Sequence, residues 1–140
     1  MTIEFATPNG SMKIFADTFF EQQTIPKIRK MLKCFRDSFP EEDKILELKR
    51  WLSDKANEEK QKAARYSEKY DKEQEQLPVK ENYYQYIRTF CDNKSKVRQA
   101  MEDARGCKVR MKSAMSAAVK AAKMSERYKS ILEDASKILL

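Results

Sequence analysis

The chain has no histidine among its 140 residues and only two glycines. Histidine is the commonest general base at neutral pH and a frequent metal ligand, so its absence argues against Ser-His or Cys-His catalysis and against zinc sites. Two glycines cannot supply a glycine-rich loop that cradles a phosphate. We therefore expect a protein that is not an enzyme and needs neither a cofactor nor a metal.

The three cysteines, Cys34, Cys91 and Cys107, are far apart and form no CxxC pattern. Such spacing is typical of free thiols in a reducing compartment. Cys91 or Cys107 beside a Lys or Arg would be the best remaining nucleophile, but no base or oxyanion loop accompanies either. Because the chain also lacks a long apolar run and a signal-peptide pattern, we expect a cytoplasmic protein with no membrane association.

Turn-forming residues are scarce, with four prolines and two glycines, while 36% of the residues are charged and the mean hydropathy is −0.82. Few turns and high polarity predict long helices and a mainly α fold. The exception is the start of the chain, where Asn9-Gly10 suits a type I′ turn and predicts a β-hairpin over residues 2–16. With Asn9-Gly10 as the loop, the predicted pairs are Phe5–Ile14, Ile3–Ala16 and Thr7–Met12.

Two short helices are predicted to follow and to form, with the β-hairpin, a small base over residues 1–39. Thr18-x-x-Glu21 fits a capping box for the first helix, and Pro26 suits the first turn of a second helix that starts near Thr24. Ser38 and Glu41 then predict a capping box that starts the next helix at Pro40. The apolar stripe of the second helix comprises Ile25, Ile28, Leu32, Phe35 and Phe39.

The stretches on either side of Leu77-Pro78 repeat mostly apolar residues at alternating spacings of four and three. This spacing is typical of helices that pair along a seam, and a proline disfavours continuation of the first helix. We predict a coiled-coil-like antiparallel hairpin over residues 40–140 that turns at 77-78. The first seam comprises Ile45, Lys49, Leu52, Ala56, Glu59, Ala63, Tyr66, Tyr70, Glu73 and Leu77. The second comprises Tyr83, Ile87, Phe90, Lys94, Val97, Met101, Ala104, Lys108, Met111, Met115, Ala118 and Ala122.

Folding these seams together gives a register in which two seam acids meet lysines. The predicted pairs are Leu52–Met101, Tyr66–Ile87, Glu59–Lys94 and Glu73–Lys80. Alternatively, the lysine stems lie along the seam and the acids face water. Beyond Ala122 the apolar stripe changes phase, so residues 124–140 are expected to pack back on the base as part of one structural domain. The same seam could also close between two chains, which leaves monomer and homodimer open.

Positive charge is concentrated in one segment. The formal net charge is +7, and residues 93–123 hold nine basic residues against only Glu102 and Asp103. Five of the basic residues follow the helical repeat along one side of the seam, and we call them the basic flank: Lys94, Arg98, Arg105, Lys108 and Lys112. Such a line could follow a phosphate backbone or an acidic protein groove. The alternative is a solvated surface that partly neutralises the acidic helix before it.

Tyrosine is concentrated around the predicted turn. Tyr66, Tyr70 and Tyr83 are expected to fill the seam, whereas Tyr84, Tyr86 and Arg88 fall outside it. Exposed tyrosine and arginine are common anchors of binding interfaces. We therefore include Tyr84, Tyr86 and Arg88 among the candidate binding residues.

Together these patterns favour a non-enzymatic protein that docks on a protein or nucleoprotein partner through its helical hairpin. An inhibitor or adaptor from a phage or mobile element would be one instance of that class. The alternative, from a different class, is direct binding of RNA or DNA along the basic flank.

Overall fold

A computed structural model describes all 140 residues and contains one β-hairpin and four helices. The elements are β1 (Thr2–Thr7), β2 (Gly10–Phe15), α1 (Ala16–Gln22), α2 (Ile25–Asp37), α3 (Glu42–Phe90) and α4 (Lys94–Ile138). The two long helices, α3 and α4, pack against each other. The predicted mainly α class, with a long helical pair and an N-terminal β-hairpin, is confirmed.

The chain divides into two compact units. The first unit consists of Met1–Lys60 and Lys123–Leu140, and the second unit consists of Gln61–Ala122. The first unit therefore contains the β-hairpin, α1, α2 and the outer ends of the two long helices.

The β-hairpin is antiparallel, but its register differs by two residues from the predicted one. Phe5 pairs with Met12 and Ile3 with Ile14, because the loop residues are Pro8 and Asn9. Proline favours the first central position of a β-turn, and Gly10 accommodates a φ of 119° after it. A slip of two residues preserves which face points inward, so the apolar side chains still share one face.

The core of the first unit gathers large side chains from every element. Phe5 contacts Phe35 edge to face, with ring centroids 6.0 Å apart. Trp51 of α3 lies between Phe20, at 5.7 Å, and Tyr128, at 6.0 Å. The largest fully buried side chains of this core are Phe20, Ile28, Leu32, Leu48, Leu52 and Ile131.

Side-chain hydrogen bonds tie α4 to other parts of the first unit. Arg127 donates to the backbone carbonyls of Phe20, at 2.8 Å, and of Gln23. These carbonyls lie at the C-terminal end of α1, where acceptors lack helical partners. Ser125 donates to the carbonyl of Ala56 at 2.8 Å. The C-terminal part of the chain therefore packs among the N-terminal elements.

Both predicted capping boxes are wrong, whereas the predicted start of α2 near Thr24 is confirmed. Thr24 caps α2 by accepting a hydrogen bond from the Lys27 amide at 3.4 Å. The N-cap of α1 is Phe15, without a side-chain bond, so Thr18 lies inside that helix. Ser38 donates to the Phe35 carbonyl at 2.6 Å and so ends α2 instead of capping α3.

Phe39 was predicted to lie on the apolar stripe of α2, but it is 92% exposed. Its φ of 52° is left-handed and follows the C-cap of α2 at Ser38. This conformation reverses the chain after the helix, and it is the usual one for the residue beyond a helix C-cap. The side chain is therefore turned away from the stripe that Ile28, Leu32 and Phe35 bury.

The predicted turn at 77-78 is wrong, because α3 continues through Pro78 to Phe90. The half-buried positions of α3 keep their heptad phase on both sides of the exposed Pro78, so packing outweighs the helix-breaking tendency of proline. The chain turns at residues 91–93 instead. There Asn93 accepts hydrogen bonds from the amides of Ser95, at 3.0 Å, and Lys96, at 3.3 Å, and thereby caps α4.

The later turn also overturns the predicted pairs. Leu52 belongs to the core of the first unit, whereas Met101 lies in the second unit. Glu59 lies near Tyr128, whose pKa is raised mainly by burial and further by carboxylates that include Glu59.

The expected change of phase after Ala122 does not occur. The buried positions of α4 keep one rhythm up to Ala122, and beyond it the buried face widens to include Ile131: Ala100, Ala104, Cys107, Ala114, Ala121, Ser125, Tyr128, Ile131 and Ala135.

Candidate functional site

The second unit buries small side chains of α4. Ala100, Ala104, Cys107, Ala114 and Ala121 are all less than 9% exposed and recur at helical spacing. Small residues on one helix leave room for large ones on its neighbour. The corresponding α3 positions are half-buried or buried and larger for the most part: Ala63, Tyr66, Tyr70, Glu73, Leu77, Lys80, Tyr84 and Ile87.

The phase of this seam decides which α4 residues face solvent. Lys94 and Lys108 were predicted as seam positions, but both are exposed. Cys107, one residue before Lys108, is buried instead. At alternate positions, the observed seam residue thus lies one residue before the predicted one. Ala104 and Met111 belong to both the predicted and the observed seam.

All five residues of the basic flank are exposed. At about 100° per residue they fall within about 80° of one another around the helix axis. At about 1.5 Å per residue, Lys94 and Lys112 are about 27 Å apart along α4. The ion pairs of the protein include none of the five. The basic flank is therefore a line of positive charge without neutralising carboxylates in contact.

A groove in the second unit, which we call the Tyr84 groove, brings together two sets of predicted residues. Its open volume is about 400 Å³, and its lining includes Tyr84 from α3 with Arg105 and Lys108 from α4. Met101 adds an apolar side chain, and Glu81 is its only carboxylate. An aromatic ring and two cations thus border one concave surface. A second groove, of about 370 Å³, is lined by Lys94, Ser95, Arg98, Gln99 and Glu102.

The other tyrosine positions differ from expectation because α3 runs on past Pro78. Tyr84, predicted to lie outside the seam, is half-buried within it, and Tyr83, predicted to fill the seam, is 54% exposed. Tyr86 is 61% exposed, and its ring lies 5.2 Å from that of Phe90. Arg88 is also exposed. Tyr86 and Arg88 do not line the Tyr84 groove.

A polar cluster in the seam was missed by the sequence reasoning, which paired Glu73 with Lys80. The Cys107 thiol donates to the Glu73 carboxylate at 3.1 Å, and Arg110 Nε donates to the same carboxylate at 2.9 Å. The hydrogen bond from Arg110 is the main cause that lowers the pKa of Glu73. Burial, followed by the hydrogen bond with Glu73, raises the pKa of Cys107.

This cluster bears on chemistry, because a cysteine nucleophile acts as the thiolate. Burial and the hydrogen bond with Glu73 raise the pKa of Cys107 despite the nearby charge of Arg110, so the thiol stays protonated at neutral pH. The cluster is accordingly a structural contact between α3 and α4. The sequence signal for this cluster is an acidic residue in one seam opposite a cysteine in the other. That pairing can be predicted only when the register between α3 and α4 is known.

No group of three or more Cys, Asp or Glu side chains is arranged to hold a metal ion. None of the helices combines the length and apolar character needed to cross a lipid bilayer. Comparisons with known protein families, curated proteins and solved structures found no match to this chain.

Proposed function

We propose that the protein is a non-enzymatic binding protein that docks on a protein or nucleoprotein partner through α3 and α4. An inhibitor or adaptor would act in this way. The observation that carries the proposal is the basic flank, which is exposed along its whole length and makes no ion pair. By contrast, Arg110, on another side of α4, is paired with Glu73.

Unpaired cations on a rigid helix suit recognition for two reasons. They remain fully hydrated in the free protein, so their exposure costs little stability, and together they attract an acidic surface from a distance. The Tyr84 groove adds apolar contact area next to Arg105 and Lys108. An interface generally needs such a partly apolar pocket for affinity, because exposed charge pairs contribute little on their own.

Direct binding of RNA or DNA is the second candidate, and the length of the basic flank favours it. A line of about 27 Å would span about eight phosphates of one strand at about 3.4 Å per phosphate. The flank could therefore track a backbone without reading bases.

Charge reversal tests both candidates. The variant Arg98→Glu/Arg105→Glu/Lys112→Glu should lose partner binding, because three contacts on one line become repulsive. The matched control is Lys62→Glu/Arg65→Glu/Lys69→Glu, which makes the same charge change at exposed positions of α3 in the same unit. Helicity and melting temperature should stay nearly constant in both, since exposed substitutions change stability by only about 0.5 kcal/mol each. Equal loss of binding in the control would contradict a specific role for the flank.

Nuclease treatment and salt separate the two candidates. If nucleic acid is bound directly, purified protein should shift RNA or DNA in a gel, with a log–log salt slope of about −3.5 to −4.5 for five phosphate contacts. If a protein is the partner, it should co-purify after nuclease treatment and be lost in the flank variant. Gel shifts that do not depend on salt would argue against phosphate contacts.

A further inference from the structure

A further concave surface lies in the first unit, between the β-hairpin and helices α1 and α2. We call it the apolar groove. Its open volume is about 340 Å³, and its walls include Met12 from β2, Phe19 from α1 and Met31 from α2. It shares no residue with the basic flank or with the Tyr84 groove.

The groove exists because the helices leave part of the hairpin's inner face uncovered. Met12 pairs with Phe5 and so points to the same face. Phe5 is 5% exposed, whereas Met12 is 48% exposed. Methionine is flexible and polarizable, which suits a surface that adapts to a partner's side chain.

The wall formed by α2 carries positive charge. Lys27 and Lys30 are one helical turn apart, both line the groove, and both are exposed. Neither takes part in an ion pair, and no Asp or Glu lines the groove. The lysine stems extend the apolar wall while their ammonium groups stay at its rim.

We propose that the apolar groove binds a peptide segment of a partner protein in which one large apolar residue is flanked by Asp or Glu. The apolar side chain fills the gap beside Met12, Phe19 and Met31. The flanking carboxylates pair with Lys27 and Lys30, whose charges have no partner within the chain. This surface would give the proposed docking function a second, chemically distinct contact, and it rests on different residues from the basic flank.

The test is selection of a phage-displayed library of random dodecapeptides on the immobilised full-length protein, followed by affinity measurement on the selected peptides. The proposal expects a consensus with a Leu, Met or aromatic residue between acidic residues. The variant Lys27→Glu/Lys30→Glu should weaken these peptides about tenfold or more, as expected when two attractive pairs become repulsive. The matched control is Lys13→Glu/Lys33→Glu, at exposed positions that do not line the groove.

A second measurement locates the site on the folded protein. Amide chemical shifts of Met12, Phe19, Met31 and Cys34 should move on titration with a selected peptide. A peptide in which Lys replaces each acidic residue should bind the Lys27→Glu/Lys30→Glu variant better than the native protein. This exchange of preference shows that the variant is folded and that its groove is intact.

Any one of four results would overturn the proposal. Selected peptides could lack acidic residues, or bind the groove variant and the control variant equally. They could instead lose binding to Arg98→Glu/Arg105→Glu/Lys112→Glu, which would assign them to the basic flank and leave the proposed function standing. Shift changes that depend on protein concentration alone would assign the groove to a second copy of the chain. Conversely, loss of the natural partner in the flank variant has no bearing on peptides held in the groove.

Discussion

The first and second units are stabilised by different kinds of buried side chain. The first unit buries large residues that are fully excluded from solvent, such as Phe20, Leu52 and Ile131. The second unit buries alanines and Cys107, with Ile87 as its one large buried residue. Burial of a large apolar side chain contributes about 1.5–3 kcal/mol, so the hydrophobic stabilisation is concentrated in the first unit.

This difference explains where the candidate surfaces lie. Because α4 buries only one side in this unit, its opposite side lies in solvent, so the basic flank can extend along the helix without interruption. The first unit encloses its core with several elements, and its concave surface is divided into local grooves, one of which is the apolar groove beside Met12. A two-helix pair therefore offers long charged surfaces, whereas a multi-element core offers a local groove.

The largest expected effect comes from truncating the first core. Phe20→Ala removes a ring with no solvent exposure and should lower the free energy of unfolding by about 3–5 kcal/mol. Phe39→Ala, at 92% exposure, is the matched control and should change it by less than about 0.5 kcal/mol. Urea titrations followed by Trp51 fluorescence and by circular dichroism check this, because Trp51 contacts Phe20. Equal losses in the two variants would refute the assignment of the core.

Pro78→Ala should stabilise the second unit, because proline inside a helix removes a hydrogen bond and clashes with the preceding turn. Alanine is favoured over proline in a helix interior by about 3 kcal/mol, which is the upper limit of the gain in unfolding free energy. Pro26→Ala is the control, since Pro26 lies in the first turn of α2, where proline is tolerated. Unchanged or lowered stability in Pro78→Ala would indicate a turn at 77-78.

Enlarging a side chain in the alanine seam should lower the stability of the protein, in contrast to Pro78→Ala. Ala114→Leu places a larger side chain at a position that is 3% exposed and should destabilise the protein by about 1–3 kcal/mol. Ala122→Leu makes the same change at an exposed position of the same helix and should be nearly neutral. Thermal melts of the two variants compare them directly. A stabilising Ala114→Leu would mean that the seam has unfilled space.

The smallest expected effect is on how the stability of the protein depends on pH. Arg110 lowers the pKa of Glu73 from its ordinary value of 4.5, so the folded state binds the Glu73 proton less readily than the unfolded state. The resulting stability is present above pH 4.5 and is lost as the pH falls through the lowered pKa. Glu73→Gln should therefore make the free energy of unfolding fall less steeply below that pH, whereas the exposed control Glu75→Gln should leave the steepness unchanged. Urea midpoints measured across this range check it.

In the N-terminal elements, some errors of the sequence-based prediction leave the predicted buried face correct and others do not. The hairpin register was wrong by two residues, yet Ile3, Phe5 and Ile14 still face the core, because side-chain direction repeats every two residues. Phe39 was misplaced because helical periodicity does not show where a left-handed residue ends the helix. Its position after Ser38 and before Pro40 was the available signal.

The position of the turn had larger consequences. Pro78 was a stronger local signal than Asp92-Asn93, although Asn93 is a good N-cap and the pair is typical of turns. The heptad phase of α3 continues through Leu77, Lys80, Tyr84 and Ile87, and this continuity favoured the later turn. Misplacing the turn by 14 residues changed every predicted pair between α3 and α4.

The sequence by itself determined the helical class, the inward face of the β-hairpin and the concentration of positive charge on α4. These follow from local composition and periodicity, which need no knowledge of distant contacts. Only the tertiary structure decided which of two adjacent α4 stripes is buried: Ala100, Cys107 and Ala114, or Met101, Lys108 and Met115. Both stripes have heptad spacing, and the choice depends on how α3 and α4 align after the turn at 91–93. That alignment keeps the charged Lys108 in solvent, where it stays hydrated, and buries the uncharged Cys107 beside Glu73.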